Sequence, residues 1–282
     1  MPPETTETTG TTTPIVSVLN QKGGVGKTTL TIHLAGALSQ YGYDVLVVDL
    51  EPEGALTSIL GYDESYSDTD RPVSLHELLV DPAGSAAAAA DLVQSGPEFD
   101  VLPANERMVD TTASALESEP KARERLAMAL DPVADAYDLI LVDNEPSINV
   151  LTDNALRCAD GVVIPSYAEA LSVQGLDRLQ KQIASIEAYY GPVNVTALVV
   201  NRIESNNQAD AMLSQLHEHF GEQLPVVEIR KRVALQRSIS AHARSIFAVE
   251  EECDMAEPIS ELATIVVDDV LPIPDPEVPA DG

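Results

Sequence analysis

The feature that most limits how this chain can fold is the string Asn20-Gln21-Lys22-Gly23-Gly24-Val25-Gly26-Lys27-Thr28-Thr29. It follows directly on a short apolar, β-branched run, Pro14 to Asn20, which reads as a buried strand, and it leads into a helical stretch over 28–41. A strand, a glycine-rich turn and Gly-Lys-Thr opening a helix form the context that a phosphate-binding loop requires. The glycines permit close approach of the backbone. The amides of Gly23, Gly24, Val25, Gly26, Lys27, Thr28 and Thr29, with the helix N-terminus behind them, can then hold anionic oxygens. Lys27 is expected to neutralise the β- and γ-phosphates of a nucleotide, and the Thr28 hydroxyl to ligate Mg²⁺. A glycine-rich turn with incidental polar residues would not need the full string in that place.

Further strands are expected at 44–50, 99–103, 137–143, 161–165, 193–201 and 225–229, with helices between them over 119–131, 149–159, 172–190 and 206–220. Continuous apolar strands alternating with helices predict an α/β fold: one doubly wound, mostly parallel sheet with helices on both faces. Hydrophobic residues make up 44% of the 282, ample for a core, although Trp is absent and aromatics are only 4%, so that core must be aliphatic. No run of 18 apolar residues exists, and Cys158 and Cys253 lack CxxC spacing; a soluble cytoplasmic protein is expected. The boundaries expected are a Thr-rich disordered tail over 1–13, one nucleotide-binding domain over 14–271 ending in a helix from Glu257 to Leu271, and a Pro-rich acidic disordered tail over 272–282. Ala86 to Ala90 reads as surface helix.

Gln21 stands where the general GxxxxGK[ST] pattern has its first Gly. That departure, with Lys22-Gly-Gly-Val-Gly-Lys-Thr-Thr, resembles the deviant Walker A motif of the ParA/MinD family of P-loop ATPases, and the opening Asn-Gln-Lys resembles its ParA (Soj-like) branch. The resemblance runs from Ile15 to about Leu271. It implies that Lys22 reaches across an ATP-sandwich homodimer to the phosphates held by the partner subunit, so that dimerisation and nucleotide chemistry depend on each other. It also implies that Asp49, ending the second strand, lies near Mg²⁺, and that Asp143, ending the Walker B strand, holds Mg²⁺ through water. Asn201 corresponds to an adenine-reading amide, although a turn-former at a strand end fits that position nearly as well. The catalytic set implied is Lys22, Lys27, Asp49 and Glu51.

This sequence departs from the family at several of these places. The acid that orients the attacking water is Glu51 rather than Asp; the extra methylene keeps the charge but displaces it, and a shift near 1 Å can cost about 10²-fold in rate. Glu53 and Ala55 replace a Gln and an Asn. In Asn144-Glu145-Pro146-Ser147, Glu145 stands where a Pro is usual; it could orient water, but solvent exposure is the expected state of a charged side chain.

The net charge of −30 also has two readings, a basic partner or adaptation to a very salty cytoplasm, where the Debye length shrinks to about 3 Å. The acids are spread over the whole chain, which favours a halophilic solvent. Against that background Arg230, Lys231, Arg232, Arg237 and Arg244 fall within fifteen positions, although only 16 basic residues exist. The cluster reads as a phosphate-binding surface for nonspecific DNA, as the resemblance implies for this region, or as a solvated face paired with acids. Only 13 residues precede the first strand, too few for an N-terminal helix-turn-helix, so the ATPase domain itself would carry the DNA contact.

The function expected is an ATP-dependent partitioning ATPase that cycles on and off the nucleoid with a ParB-like centromere-binding partner. One alternative is a MinD-like positioning ATPase, but that calls for a basic amphipathic C-terminal helix, and after Arg244 there is no Lys or Arg while 11 acids follow. Membrane contact is therefore not expected. The other alternative is a metabolic ATP-dependent ligase, or a reductase component, on the same loop; the reductase would need bridging cysteines that are absent beside Asp143.

Overall fold

The computed structural model describes residues 13–109, 111–147, 149–167, 181, 184, 187–188, 192–204, 207–221, 224–249 and 252–271. The expected helix over 172–190 and both tails, up to residue 12 and from 272, lie outside or largely outside these residues.

All seven expected strands form: β1 (Ile15–Val18), β2 (Val45–Asp49), β3 (Asp100–Leu102), β4 (Leu139–Asp143), β5 (Gly161–Tyr167), β6 (Val195–Ile203) and β7 (Val226–Arg230). They make one all-parallel sheet in the order β3-β2-β4-β1-β5-β6-β7. The chain leaves central β1 toward one edge, returns through β4, then crosses β1 to continue on the other side through β5. The order reverses at β4-β1-β5, and a crevice at such a switch point, outside the carboxyl ends of the strands, is where open α/β sheets bind ligands.

Both faces of the sheet are covered, so the central strands are buried throughout and successive residues alternate between cores on opposite faces. Val16, Val18, Val47, Leu141 and Val163 face helix α1 (Lys27–Gln40) and the last helix, Ala256–Val270, in one core. Ile15, Leu46, Val48, Ile140 and Val142 face the helices Leu75–Val80 and Arg125–Ala134. Val162, Ile164, Leu198 and Val200 face the helix Asn207–Phe220. α1 is buried nearly all round, from Leu30 through Leu38, which fixes the loop at its N-terminus against the centre of the molecule.

Small differences from expectation have local causes. The packed body begins at Thr13, assigned to the tail: its side chain is buried, with Oγ1 donating to the Ala134 carbonyl at 2.9 Å. The helix expected from 119 starts only at Arg125, because Arg125 donates to the Pro120 carbonyl and to Glu119, holding that stretch in turns. The helix Leu75–Val80 was missed, although Ser74-Leu75-His76-Glu77 is a capping box, with the Ser74 amide donating to Glu77 Oε2 at 2.8 Å.

His33, 1% exposed, ties α1 to the region carrying the basic cluster. The Ile246 amide donates to its Nδ1 at 3.1 Å, and its Nε2–H donates to the Leu235 carbonyl at 3.2 Å, a pattern only the neutral ring can make. Burial lowers its pKa to about 4. The unfolded chain therefore binds the extra proton between pH 6.5 and 4, and stability is lost as pH falls through that window. Between pH 7 and 5 this one group is expected to remove about 2 kcal/mol. Urea midpoints of wild type and His33→Gln at the two pH values check it: the variant is less stable at pH 7 but loses correspondingly less on acidification, and parallel losses would refute the assignment.

Candidate functional site

The loop between β1 and α1 is held from three sides. Asn20, 4% exposed, donates from Nδ2 to the Pro165 carbonyl at 2.6 Å and accepts the Lys22 amide at 2.8 Å, so it pins the turn to the end of β5. Gly24 and Gly26 take left-handed φ values of 76° and 90°. At Gly26 a side chain is doubly excluded, because a Cβ there would also collide with Asn201 Nδ2. Asn201 itself donates to the Val25 carbonyl at 3.1 Å and accepts the Arg202 amide at 2.8 Å. The amide matched to adenine reading thus braces the phosphate loop, with one donor and one acceptor position left over. Gly26 caps α1 with no side-chain hydrogen bond, which leaves the first helical amides pointing at the crevice.

Lys27 is 7% exposed and makes no salt bridge among the described residues. Burial lowers its pKa, opposed by the charges of Asp143, Glu51 and Glu145. A buried ammonium that these carboxylates only partly compensate is prepared for an anion, since burying a charge without a direct partner is costly.

Asp49 and Asp143 are register partners on β2 and β4, both fully buried at the carboxyl ends of their strands. Thr57 donates to Asp49 Oδ2 from its amide at 2.8 Å and from Oγ1 at 2.6 Å. Asp143 Oδ1 accepts from Thr31 Oγ1 at 3.3 Å and the Thr28 hydroxyl opposes the rise of its pKa, while Oδ2 is buried with no hydrogen-bond partner among the described residues. Burial raises the Asp49 pKa to about 6; burial, then the Asp49 charge, pushes Asp143 up to about 8. Two adjacent carboxyls that resist ionising, one with an orphaned oxygen, fit a divalent cation that would draw the proton off. Thr28, Asp49 and Asp143 come together here, with Thr57 and Thr31 as supports that the sequence reading did not single out. Among the described residues there is no group of three or more His, Cys, Asp and Glu forming a metal site by themselves, so phosphate oxygens and water would complete the coordination.

The segment after β4 closes over this end. Asn144 Nδ2 donates to Ser17 Oγ at 2.8 Å and to the Val18 and Val142 carbonyls, while its Oδ1 and the Ser147 hydroxyl are buried without partners. Glu145 is half-buried rather than solvated, accepting from Asn149 Nδ2 at 2.6 Å; the cause is Asn149, which caps the helix Val150–Cys158 and reaches back to hold the carboxylate. Glu51 is half-buried, its pKa raised by burial and lowered by Lys27. Lys22 is exposed, with Nζ 5.5 Å from the centre of the Tyr167 ring; the Arg202 guanidinium carbon lies 5.3 Å from the same centre.

The basic cluster occupies the end of β7 and the helix Val233–His242 that follows. Arg232 donates side-on to both oxygens of Asp254, from Nε at 2.7 Å and Nη2 at 2.5 Å, whereas Arg230–Asp210 and Lys231–Glu204 are loose pairs at 3.9 Å. Arg237 and Arg244 lie farther along, in and after that helix. Cys158 is a half-buried thiol whose pKa burial pushes up to about 12. No helix among the described residues is long and apolar enough to cross a membrane.

Comparison with known proteins places this arrangement among relatives. A family model described as an AAA domain matches residues 13–194. An uncharacterised protein of Mycobacterium tuberculosis is 35% identical over 213 residues, 74% of this chain but 64% of its own length, so the chain spans less than two thirds of that relative. The chromosome-partitioning ATPase Soj of Thermus thermophilus is 34% identical over 227 residues, covering 80% of this chain and 84% of Soj. The solved structure of cobyrinic acid a,c-diamide synthase from Mycobacterium smegmatis, with bound ADP and magnesium, superposes with a TM-score of 0.68 at 26% identity, over 90% of this chain and 94% of that one.

Proposed function

Since the chain belongs to the ParA/MinD-type P-loop ATPases, we propose that it is an ATP-switched partitioning ATPase, working as a sandwich dimer on nonspecific DNA with a ParB-like partner. The observation that carries this reading is Lys27, buried and without a salt bridge among the described residues, in the field of Asp143 with its orphaned oxygen, a paired demand for polyphosphate and for a divalent cation.

In this reading the amides of Gly23 to Thr29 and the Lys27 ammonium hold the ATP phosphates, and Asn201 offers its remaining valences to the adenine edge. Mg²⁺, held by Thr28, Asp49 and Asp143 with intervening water, supplies neutralisation of the phosphate charge. Lys22, exposed at the rim, reaches the partner subunit's nucleotide. Glu51 accepts a hydrogen bond from the attacking water and orients it. The ATPase body occupies 14–271, with Thr13 packed against it, and the acidic charge suits a cytoplasm rich in salt.

The DNA surface of the dimer is the basic cluster of Arg230, Lys231, Arg232, Arg237 and Arg244, which brings the ATP-bound form to the nucleoid. Its acidic partners do not forbid this role, because exposed ion pairs are worth at most about 1 kcal/mol and phosphate can displace them. Replacing Arg230 and Arg232 together by Gln is expected to abolish DNA retention at low salt, leaving ATP binding intact; unchanged retention in a gel-shift titration rules the surface out. The reading as a whole is tested by light scattering with ATP·Mg²⁺ and by ATPase rates with and without DNA and partner at several KCl concentrations. A protein that stays monomeric at every salt concentration refutes it.

The helix Ala256–Val270 is not itself a lipid-seeking helix, since it carries Glu257, Glu261, Asp268 and Asp269 and no Lys or Arg. ATP-dependent amide synthesis, suggested by the name of the M. smegmatis structure, predicts turnover without DNA or partner, and the same rate measurements separate it.

A further inference from the structure

Tyr167 ends β5 and Asn201-Arg202 lie beside it on β6, where Tyr167 and Asn201 are register partners. The Tyr167 hydroxyl lies 3.7 Å from where a side chain on Gly24 would begin, and Arg202 Nη1 donates to it at 2.9 Å. One ring therefore carries two cations, Lys22 and Arg202, at the outer rim of the phosphate loop. In a chain of net charge −30, neither makes a salt bridge among the described residues. Arg202 also sits at φ 55°, a left-handed conformation that disfavours any residue with a Cβ. Strain of this kind persists where the surroundings over-determine it, and it gathers at functional sites. The Asn201 side chain, which braces the loop, also accepts the Arg202 amide and so helps hold that conformation.

We propose that Arg202, oriented by Tyr167, is a second polyphosphate-binding cation that acts with Lys22 across the interface between two ATP-bound copies of the chain. This rests on the ATP-dependent dimer proposed above. The direction is across the interface because the Arg202 guanidinium is taken up by the Tyr167 hydroxyl, which itself lies against Gly24 of the protomer's own loop, and because both cations are exposed. Tyr167 is a positioning residue: its ring attracts both cations, and its hydroxyl fixes the plane of the guanidinium. The repulsion between two cations gathered on one ring is relieved when a polyphosphate arrives from the partner.

The test compares Arg202→Gln, Arg202→Gly, Tyr167→Phe and the reference Lys22→Ala with wild type. Dimer affinity is measured by sedimentation with a non-hydrolysable ATP analogue and Mg²⁺, and protomer affinity with fluorescent ADP. Arg202→Gln is expected to weaken the dimer about 10- to 100-fold, the range of a lost charge-assisted contact, with less than about a twofold change for ADP. Tyr167→Phe keeps the ring but loses the hydroxyl, and falls between wild type and Arg202→Gln. Arg202→Gly, free of the backbone strain, shows the same dimer defect with a melting temperature at or above wild type. An undiminished dimer in Arg202→Gln or Arg202→Gly, or a loss of ADP affinity as large as the loss of dimer, overturns the proposal. A wild type that never dimerises with ATP instead overturns the functional reading on which it stands.

Discussion

Lys27→Met is expected to weaken nucleotide binding roughly 10- to 100-fold and, in the same protein without ligand, to raise the unfolding temperature. The two effects have one cause. Lys27 is 7% exposed, and burial outweighs the attraction of Asp143, Glu51 and Glu145, so the charged form is disfavoured in the folded state. A methionine of similar length fills the same space without the desolvation cost, and a gain of a few degrees, from roughly 1 kcal/mol, is the expected scale. With ATP present the balance reverses. Charge-assisted bonds to phosphate contribute about 1.5–3 kcal/mol, so affinity falls roughly 10- to 100-fold, and hydrolysis loses at least about 10²-fold. Calorimetric titration with ATP·Mg²⁺ and a melting curve without it check both halves. Affinity within twofold of wild type would remove the physical basis of the site.

Glu51→Gln is expected to cut ATP turnover by about 10²–10⁴-fold while the ATP-bound dimer accumulates. Glu51 is half-buried and close enough to Lys27 for each to shift the other's titration. Burial raises its pKa, which makes the carboxylate a better proton acceptor nearer neutral pH. The amide of the variant keeps the size and loses the base. Glu145→Gln is the comparison: its carboxylate is tied to Asn149 at 2.6 Å, so its removal is expected to change turnover less than about fivefold. Single-turnover hydrolysis with radiolabelled ATP distinguishes the two, and a Glu51→Gln protein at the wild-type rate would show that the water is oriented by another group.

The strands were legible because each is a continuous apolar run, and a parallel sheet covered on both faces leaves such runs no polar alternation. The loop was legible because its chemistry is local: ten consecutive residues carry the turn, the cation and the hydroxyl. The helix Leu75–Val80 was less visible, since six residues give little periodicity, although its capping box is local too. Glu145 was read as solvated from a general rule about charges, and the Asn149 cap four residues away reversed that.

The order of residues along the chain was enough to determine the phosphate loop and a parallel α/β sheet, because both depend on contacts within a few neighbours or on repeating hydrophobicity. Tertiary structure alone decided that Asp49 and Asp143, 94 positions apart, stand side by side with one oxygen orphaned, and that Lys22, Tyr167 and Arg202 share one ring. Those relations arise from strand register and crossover, which join distant segments through space, and no local pattern encodes which strand ends will meet.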